Sequence, residues 1–279
     1  MNDQPPHEHS MKPPTEAEQQ QIDEDDADLQ SSLADLAALV TSSHGLDRLL
    51  ELVATYAAKA IPGADGAGVT LLRVDRPDNR VQALAASDPF VAEIDHIQYV
   101  TVNEGPCITA ALEGRTVRSG SLGGEKMWPR FGPRVGRLGV HSALSLPLLL
   151  PGQVVGAINV YARGKDVFDD RAQELGELFA APAAVAVHNA HTLSQAIALT
   201  TQLQTALANR PVIDEAIGLI RSRTGLSSVQ ARERLQTMSQ HEHVKMVEVA
   251  HHMVDEAVRR ARARHTSSGQ PSGTTPGGL

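Results

Sequence analysis

The chain has 279 residues, enough for two domains, and it carries 25 basic and 33 acidic residues. Its single cysteine, Cys107, excludes an internal disulfide framework and any zinc site built from several cysteines. No run approaches the roughly 18 apolar residues of a membrane span, and the acidic N-terminus lacks the apolar core of a secretory signal, so we expect a soluble cytoplasmic protein.

The charges are distributed unevenly along the chain. Residues 1–28 contain nine acidic residues and one lysine, whereas residues 209–265 contain ten basic and seven acidic residues. A negative net charge that lies in a separable tail does not exclude a nucleic-acid partner. We predict that the acidic residues 1–28 and the Ser-, Gly-, Thr- and Pro-rich residues 265–279 are disordered.

A helical pattern and a hairpin pattern come first. Apolar residues recur at three- and four-residue spacing over residues 29–61, with an interruption at Gly45. Two β-rich runs follow, residues 67–74 and 80–86, and we predict that the turn residues 77–79 join them as a hairpin.

Proline and glycine mark the elements that follow. Pro106 can occupy the first position of a short helix, and Ser142–Leu150 and Gln153–Ala162 predict a second hairpin around Pro151 and Gly152. The order of helix, two strands, helix, two strands and helix predicts an α+β region, with a mostly antiparallel sheet and helices on one face.

A long helical stretch connects this region to the rest of the chain. Asp169 or Asp170 can cap its start, the pattern continues to about Arg210, and Pro182 should kink or divide it. Some of its residues fall at the a and d positions of heptads: Leu193, Thr200, Leu207, Asn189, Ala196 and Leu203. This seam is short and rather polar, so a parallel coiled-coil dimer and an amphipathic helix packed on its own domain both stay open.

Three further helices are predicted at the C-terminal end. The first covers residues 211–223, with Pro211 at its first position and Gly225 as its stop; Ser227 and Gln230 form a capping box for the second. Residues 241–243 break the pattern before a third helix that begins near Met246. One face of the second and third helices is apolar: Ala231, Leu235, Met238, Met246, Ala250, Met253 and Ala257. These helices predict a small three-helix bundle.

Several motifs carry a resemblance to a known family. Four segments, residues 103–107 (NEGPC), 128–131 (WPRF), 139–148 (GVHSALSLPL) and 156–161 (GAINVY), resemble the GAF domains of actinobacterial GAF–ANTAR regulators. The C-terminal bundle resembles the ANTAR domain at Arg210, Val212, Ile213, Ala216, Gly218, Ala231, Leu235, Ser239, Gln240, Lys245, Val249 and Ala250. The order and spacing of both sets of motifs make the resemblance specific.

The resemblance implies a domain order and a function. It implies a GAF sensor domain over residues 29–191, a connector helix over 192–208 and a three-helix ANTAR domain over 209–264. ANTAR proteins of this kind bind paired stem-loops in nascent mRNA, prevent a terminator hairpin from forming, and dimerise to present two bundles. The implied protein is therefore a cytoplasmic, non-enzymatic, homodimeric antiterminator whose partners are stem-loop RNA and a small-molecule GAF ligand.

The candidate RNA-binding residues combine charge with small side chains. They are Arg210, Ala216, Gly218, Arg221, Arg223, Ser239, His243 and Lys245. Arginine suits folded RNA because its guanidinium both forms forked hydrogen bonds to phosphate and stacks on bases. Ala216 and Gly218 allow close approach either of a nucleic-acid backbone or of a facing helix, and we keep both interpretations.

The C-terminal motif departs from the family pattern at two positions. Ile217 stands where the family usually has Lys, and His243 stands where it often has Asn. Arg221, one turn after Ile217, can supply the missing charge.

Four residues are candidates for a ligand pocket in the GAF region. Cys107 lies near a predicted helix N-terminus, which would lower its pKa, but a lone cysteine between apolar neighbours is more often a small buried hydrophobe. Trp128 and Phe131 are predicted lid or core aromatics, and Arg130 could face an anionic ligand. No pattern for a haem, bilin or cyclic nucleotide is present, so the cofactor stays unassigned.

Other functions lack the residues that they need. The chain has no GxxxxGK[ST], GxSxG or HExxH motif, and no carboxylate is placed to complete a metal site with the C-terminal histidines. Two alternatives remain: a protein-interaction module with a degenerate bundle, and a DNA-binding helix-turn-helix, which would need a clearly basic reading face.

Overall fold

The computed structural model describes residues 14–40, 45–72 and 81–267. The chain divides into two compact units between Gln195 and Ala196. The predicted turn at residues 77–79 lies outside the described residues, as do most of both predicted disordered tails.

Eight α-helices and five strands are assigned in the described residues. The helices are α1 Glu16–Val40, α2 Leu46–Ala60, α3 Pro89–His96, α4 Pro106–Glu113, α5 Gly132–Arg137, α6 Asp170–Thr224, α7 Ser228–Glu242 and α8 Met246–Ser267. The strands are β1 Gly66–Leu72, β2 Val81–Ala86, β3 Val117–Ser119, β4 Ser142–Leu150 and β5 Gln153–Ala162. A π-helix over Ile97–Val102 and a 3₁₀ turn over Leu122–Gly124 complete the set.

The five strands form one antiparallel sheet in the order β2-β1-β5-β4-β3. Both predicted hairpin pairings are confirmed, and the bounds of β4 and β5 agree with the sequence prediction. The edge strand β3 was not predicted, because three residues are too few to show a period-two pattern.

Helices cover both faces of the sheet. Leu144, Leu146 and Ile158 point to one face and pack with apolar residues of α1, α2 and the first part of α6. Ala143 and Tyr161 point to the other face and pack with α3, α4 and α5. The prediction of helices on one face was therefore wrong: all seven residues of β1 are buried, as in strands that are covered on both sides.

The N-terminal acidic segment is helical from Glu16, so the prediction of disorder was wrong for residues 16–28. The helix begins with a reciprocal cap, in which the Thr15 N–H donates to the Glu18 carboxylate at 2.7 Å and the Glu18 N–H donates to the Thr15 hydroxyl at 3.3 Å. Glutamine amides then donate to carboxylates one turn later in three pairs: Gln19–Asp23, Gln20–Glu24 and Gln21–Asp25.

The acidic helix is also attached to the GAF-region core. Asp26 forms an ion pair with Arg171, Asp28 lies 3.7 Å from the Lys59 ammonium, and Leu29 and Leu36 are buried. These cations and the buried leucines stabilise a segment whose composition alone predicts disorder.

The helix α6 runs through both of its prolines. Asp169 caps its start, since the Ala172 N–H donates to the Asp169 carboxylate at 2.8 Å. The prediction that Pro182 divides this helix was wrong, and so was the prediction that Pro211 begins a new one. A proline within a helix costs about 3 kcal/mol, but buried neighbours next to each proline, such as Ala183 and Ala216, offset that cost.

The C-terminal unit contains the three predicted helices, of which the first is the end of α6. The Ser227–Gln230 capping box is confirmed, and so is the stop at Gly225, whose φ is +72° and whose N–H donates to the Arg221 carbonyl at 2.9 Å. The core consists of Ala216, Ile217, Ile220, Ala231, Leu235, Val249 and Ala250. The helix α8 continues three residues beyond the predicted boundary at residue 264. None of the described helices combines the length and apolar content that a membrane span requires.

Candidate RNA-binding surface and sensor residues

Arg221 and Arg223 lie exposed in the last turn of α6. The helix ends immediately afterwards at Gly225, so both guanidinium groups stand beside the carbonyl end of the helix dipole, which favours cations. The position is well suited to hold two positive charges at the surface.

The turn between α7 and α8 brings three other candidates together. The Ser239 hydroxyl donates to the Val244 carbonyl at 2.6 Å, and the Val244 N–H donates to the Ser239 carbonyl at 3.2 Å. The Lys245 carbonyl accepts the N–H groups of Glu248 and Val249, so Lys245 begins α8. Ser239 therefore shapes the turn, and the exposed side chains are those of His243 and Lys245.

The backbone of His243 explains one departure from the family pattern. Its φ is +55°, in the left-handed region, where it forms the C-cap of α7. Asn and His are among the non-glycine residues that occupy this region most readily. Replacing the common Asn by His therefore preserves the turn.

These two cationic groups do not form one compact patch. The first, Arg221 and Arg223, precedes α7, and the second, His243 and Lys245, follows it. The 15 residues of α7 span about 21 Å at about 1.5 Å per residue. An RNA that contacts both groups must extend along the length of this helix.

The two small residues of α6 have opposite environments. Ala216 is fully buried in the bundle core, as the helix-packing interpretation requires. Gly218 is exposed, and a Cβ atom added to it would meet no heavy atom of the described residues within 4 Å. Ala216 thus serves packing and cannot present its methyl group to RNA, whereas Gly218 leaves the helix backbone open to a partner.

Ile217 and Arg210 show how the core and the ion pairs use the remaining motif positions. Ile217 is only 7% exposed and belongs to the core, so the position at which the family usually has Lys is an apolar contact here. Arg210 lies 3.6 Å from Asp214, which also lies 3.6 Å from Arg232. Asp214 therefore offsets part of the charge of both arginines.

Sequence reasoning missed one cationic segment of α8. Residues 258–264 contain four arginines and no acidic residue, and all four are exposed: Arg259, Arg260, Arg262 and Arg264. Arg260 forms an ion pair with Glu256. Charge counting along residues 258–264 could have found this segment, but the motif resemblance ends at Ala250 and drew attention away from it.

The structure confirms the structural interpretation of Cys107. The thiol is buried and accepts a hydrogen bond from the Tyr99 hydroxyl at 2.6 Å. Burial raises the pKa of the Cys107 thiol to about 12, which outweighs the lowering expected from its position near the start of α4. Cys107 is therefore an unreactive core residue.

Trp128 and Phe131 are core aromatics. Trp128 is 2% exposed and its indole N–H donates to the Thr109 hydroxyl at 2.9 Å, while Phe131 is fully buried. Both belong to the apolar cluster that covers one face of the sheet.

Arg130 faces a carboxylate, contrary to the expectation that it faces an anionic ligand. Its guanidinium donates to Glu104 at 2.9 Å and its side chain is largely exposed. The backbone N–H groups of Arg130 and Phe131 donate to the same carboxylate. Although burial opposes ionisation of Glu104, these hydrogen bonds prevail and lower its pKa.

An open groove lies elsewhere in the first unit. It has a volume of about 610 Å³ and is lined by the ends of β1 and β5 and by α6, including Val154, His188 and His191. None of the four pocket candidates lines it. Within the described residues, no three His, Cys, Asp or Glu side chains converge as a metal site would require.

Two family models match the chain in sequence. The model for the GAF domain matches residues 43–188, and the model for the ANTAR domain matches residues 201–254. The chain is a GAF–ANTAR regulator. Both domains are regulatory, and the ANTAR match makes this an RNA-binding regulator. The match ends before the arginine segment of α8.

Solved structures with a similar fold are GAF domains. The GAF domain of an Acinetobacter phosphoenolpyruvate-protein phosphotransferase is 17% identical, covers 60% of this chain and 97% of its own, and has a TM-score of 0.45. The corresponding domain from Coxiella burnetii is 15% identical, covers 61% and 98%, and has a TM-score of 0.47. The free methionine-R-sulfoxide reductase of Neisseria meningitidis is 16% identical, covers 61% and 91%, and has a TM-score of 0.43. No curated protein matches the chain.

Proposed function

We propose that this GAF–ANTAR regulator binds stem-loop RNA and permits transcription through a terminator, under the control of its GAF domain. The observation that carries the proposal is the ANTAR match over a bundle that exposes Arg221, Arg223 and Lys245. The domain limits that go with it are residues 29–191 for the sensor, 192–208 for the connector and 209–264 for the RNA-binding bundle. The protein acts without catalysis and in the cytoplasm, where nascent transcripts are found.

The RNA lies along α7 in this proposal. Phosphates contact Arg221 and Arg223 at one end and Lys245 at the other, about 21 Å away by the length of the helix. The sequence has no aromatic residue between Pro211 and Arg264, so unpaired loop bases stack on arginine or histidine planes. The open backbone at Gly218 lets a phosphate or sugar approach α6 closely.

A second copy of the chain pairs with the connector. All residues from 195 to 208 are exposed, and no Asp, Glu, Lys or Arg occurs between residues 178 and 209. A solvated single helix normally carries many charges, and an isolated helix of this length is marginal in water. The exposed leucines of this uncharged segment instead fit a parallel partner helix, in which identical residues meet without charge repulsion.

Pairing connects sensing to RNA binding. Two bundles held on one dimer can engage two stem-loops at once, which raises the effective concentration for the second binding event without adding any new interaction. We propose that ligand binding to the GAF domain changes the pairing of the connector helices and so selects whether both bundles bind.

The proposal is tested by measuring the affinity for a dual stem-loop RNA by fluorescence anisotropy. We expect the triple variant Arg221→Ala, Arg223→Ala and Lys245→Ala to bind at least tenfold more weakly. Its salt dependence, the slope of log K against log salt concentration, should fall by about 0.7 to 0.9 for each phosphate that the variant no longer neutralises.

A control variant carries the same change of charge on the first unit. Arg48→Ala, Arg115→Ala and Lys165→Ala remove three exposed cations there and should leave the affinity unchanged. Circular dichroism verifies that both variants stay folded. Undiminished RNA binding by the first variant would contradict the proposal.

A second function, a protein-interaction module without RNA binding, is favoured by one observation. The core position of Ile217 removes a lysine that the family usually has. This function predicts equal, weak affinity for hairpin RNA and duplex DNA at matched salt. The proposed antiterminator should prefer the hairpin at least tenfold.

A further inference from the structure

Polar atoms without partners collect around Asp95 in the first unit. Asp95, on α3, is 1% exposed, and neither of its carboxylate oxygens has a hydrogen-bond partner among the described residues. The same holds there for the Gln98 Nε2, the Asn159 Nδ2, the Tyr161 hydroxyl and the Thr70 hydroxyl. We call these five residues, together with Tyr99 and Cys107, the Asp95 cluster.

The register of the sheet places part of this cluster on one face. Gly68 of β1 lies opposite Asn159 of β5. Thr70 and Tyr161 lie two residues further along their strands, so they point to the same face. Asp95 reaches this face from α3, because a Cβ atom on Gly68 would lie only 2.9 Å from the Asp95 Oδ2.

The π-helix and α4 enclose the cluster from the other side. The Cys107 N–H donates to the Gln98 Oε1 at 3.3 Å, and the Tyr99 hydroxyl donates to the Cys107 thiol at 2.6 Å. Because the Gln98 oxygen is engaged by a backbone N–H, the orientation of its amide is fixed and its NH₂ group remains to donate elsewhere. π-helical turns occur frequently at functional sites. Tyr99, which is half-buried, is the residue of this wall that reaches the surface.

Unpartnered buried polar groups are rare in folded proteins, because burial without a hydrogen bond is costly. Here five residues with such atoms come from β1, α3, the π-helix and β5 and meet in one region. A core without a ligand would be more stable with apolar side chains at these positions. The arrangement fits a site in which a further molecule provides the missing partners.

The chemistry of the cluster defines that molecule. Asp95 offers two acceptor oxygens, and the Gln98 and Asn159 amides offer donors. Burial alone raises the pKa of Asp95 to about 8, so no neighbouring cation among the described groups offsets its charge. An anion would meet a buried carboxylate and no counter-charge, whereas a molecule with N–H donors satisfies Asp95 and can accept from the amides.

We propose that the Asp95 cluster binds a small amidine- or amide-type molecule, whose N–H groups donate to Asp95 and whose acceptor atoms face Gln98 and Asn159. Binding is a property of the first unit by itself. Its role as the input of the regulator rests on the proposed function.

The test uses three small molecules of nearly the same shape: acetamidinium, acetamide and acetate. Each is titrated at pH 7 and constant ionic strength into the full-length protein labelled with ¹⁵N, and the side-chain amide signals of Gln98 and Asn159 are followed by NMR. We expect saturable shifts with acetamidinium, weaker saturable shifts with acetamide and none with acetate.

Two matched variants locate the site. Asp95→Asn has nearly the same shape without the charge and should weaken acetamidinium binding at least tenfold. Asp88→Asn makes the same change of charge at the exposed cap of the same helix and should bind as the wild type does.

The inference is overturned if neither acetamidinium nor acetamide gives saturable shifts, which would leave the polar atoms to buried water. Equal binding by Asp95→Asn, or acetate binding as tightly as acetamidinium, would overturn it too. None of these results depends on RNA, so failure of the antitermination proposal in the anisotropy experiment would be seen separately.

Discussion

At the scale of single residues, the most informative contrast lies between Ala216 and Gly218. They are two positions apart on α6, and side chains two positions apart point about 200° away from each other around a helix. One therefore faces the core and the other faces solvent. The sequence suggested one shared role for the two small residues, but the period of the helix separates them.

Gly218→Ala should stabilise the protein and weaken RNA binding. A glycine inside a helix costs about 1 kcal/mol relative to alanine, and the added methyl group meets no atom of the described residues. The same methyl group would obstruct close approach of an RNA backbone. We expect the free energy of unfolding of the C-terminal unit to rise by about 1 kcal/mol in urea titrations, and the hairpin affinity to fall by about tenfold.

The control for this prediction is Gln236→Ala on the exposed surface of α7, which should leave the hairpin affinity unchanged. If Gly218→Ala raised stability without any reduction in affinity, the exposed backbone at this position would have no part in RNA binding.

Asp95 makes a prediction about pH. Burial raises its pKa from 3.8 to about 8 in the folded protein, so in this range the folded state holds a proton that the unfolded chain has released. The contribution of Asp95 to stability therefore falls as the pH rises from 4 to 8, by up to about 1.4 kcal/mol per pH unit. Tyr99, Cys107 and Tyr161, which face it, have raised pKa values and stay neutral throughout.

Asp95→Asn should remove this dependence. The variant's free energy of unfolding, minus that of the wild type, should increase steadily between pH 5 and pH 8 in denaturant titrations without added ligand. Asp88→Asn should show no such trend. A difference that stays constant with pH for Asp95→Asn would show that Asp95 titrates normally in the folded protein.

At the scale of elements, local signals predicted some structures well and others badly. The hairpin β4–β5 was predicted with its bounds because Pro151 and Gly152 separate two long apolar runs. The acidic part of α1 was not predicted, because its stability depends on Lys59 and Arg171, which lie far away in sequence. The continuity of α6 through Pro182 likewise depends on packing that no local signal records.

The connector segment of α6 makes a prediction about assembly. Leu203 and Leu207 are 57% and 68% exposed, and they lie one turn apart on the predicted seam. Leu203→Glu with Leu207→Glu places charges where a second copy should pack, and we expect the dimer to dissociate at least tenfold more readily. Sedimentation equilibrium over a range of concentrations measures the change.

Thr201→Glu with Thr205→Glu is the matched control, since it places the same charges at the same spacing on the opposite face of this helix. It should remain dimeric. A wild-type protein that sediments as a monomer at all concentrations, or two variants with equal dissociation, would contradict a pairing through the leucine seam.

At the scale of the whole molecule, the sequence indicated the two domains and their order, which the family models confirm. It did not indicate the Asp95 cluster. Its members come from residues 70 to 161 and meet only because β1 pairs with β5 and the π-helix lies over that pair. Their polarity is ordinary one residue at a time and becomes unusual only when burial is known.

The isolation of the single cysteine has a practical consequence for spectroscopy. Because Cys107 is the only thiol in the chain and is buried, a cysteine introduced at Thr201 can be labelled selectively without removing any other native residue. Paired nitroxide labels at that position would report the spacing between two connector helices by electron resonance. Native interior packing would remain undisturbed, so the helices could be followed in an otherwise wild-type background as amidines or RNA are added.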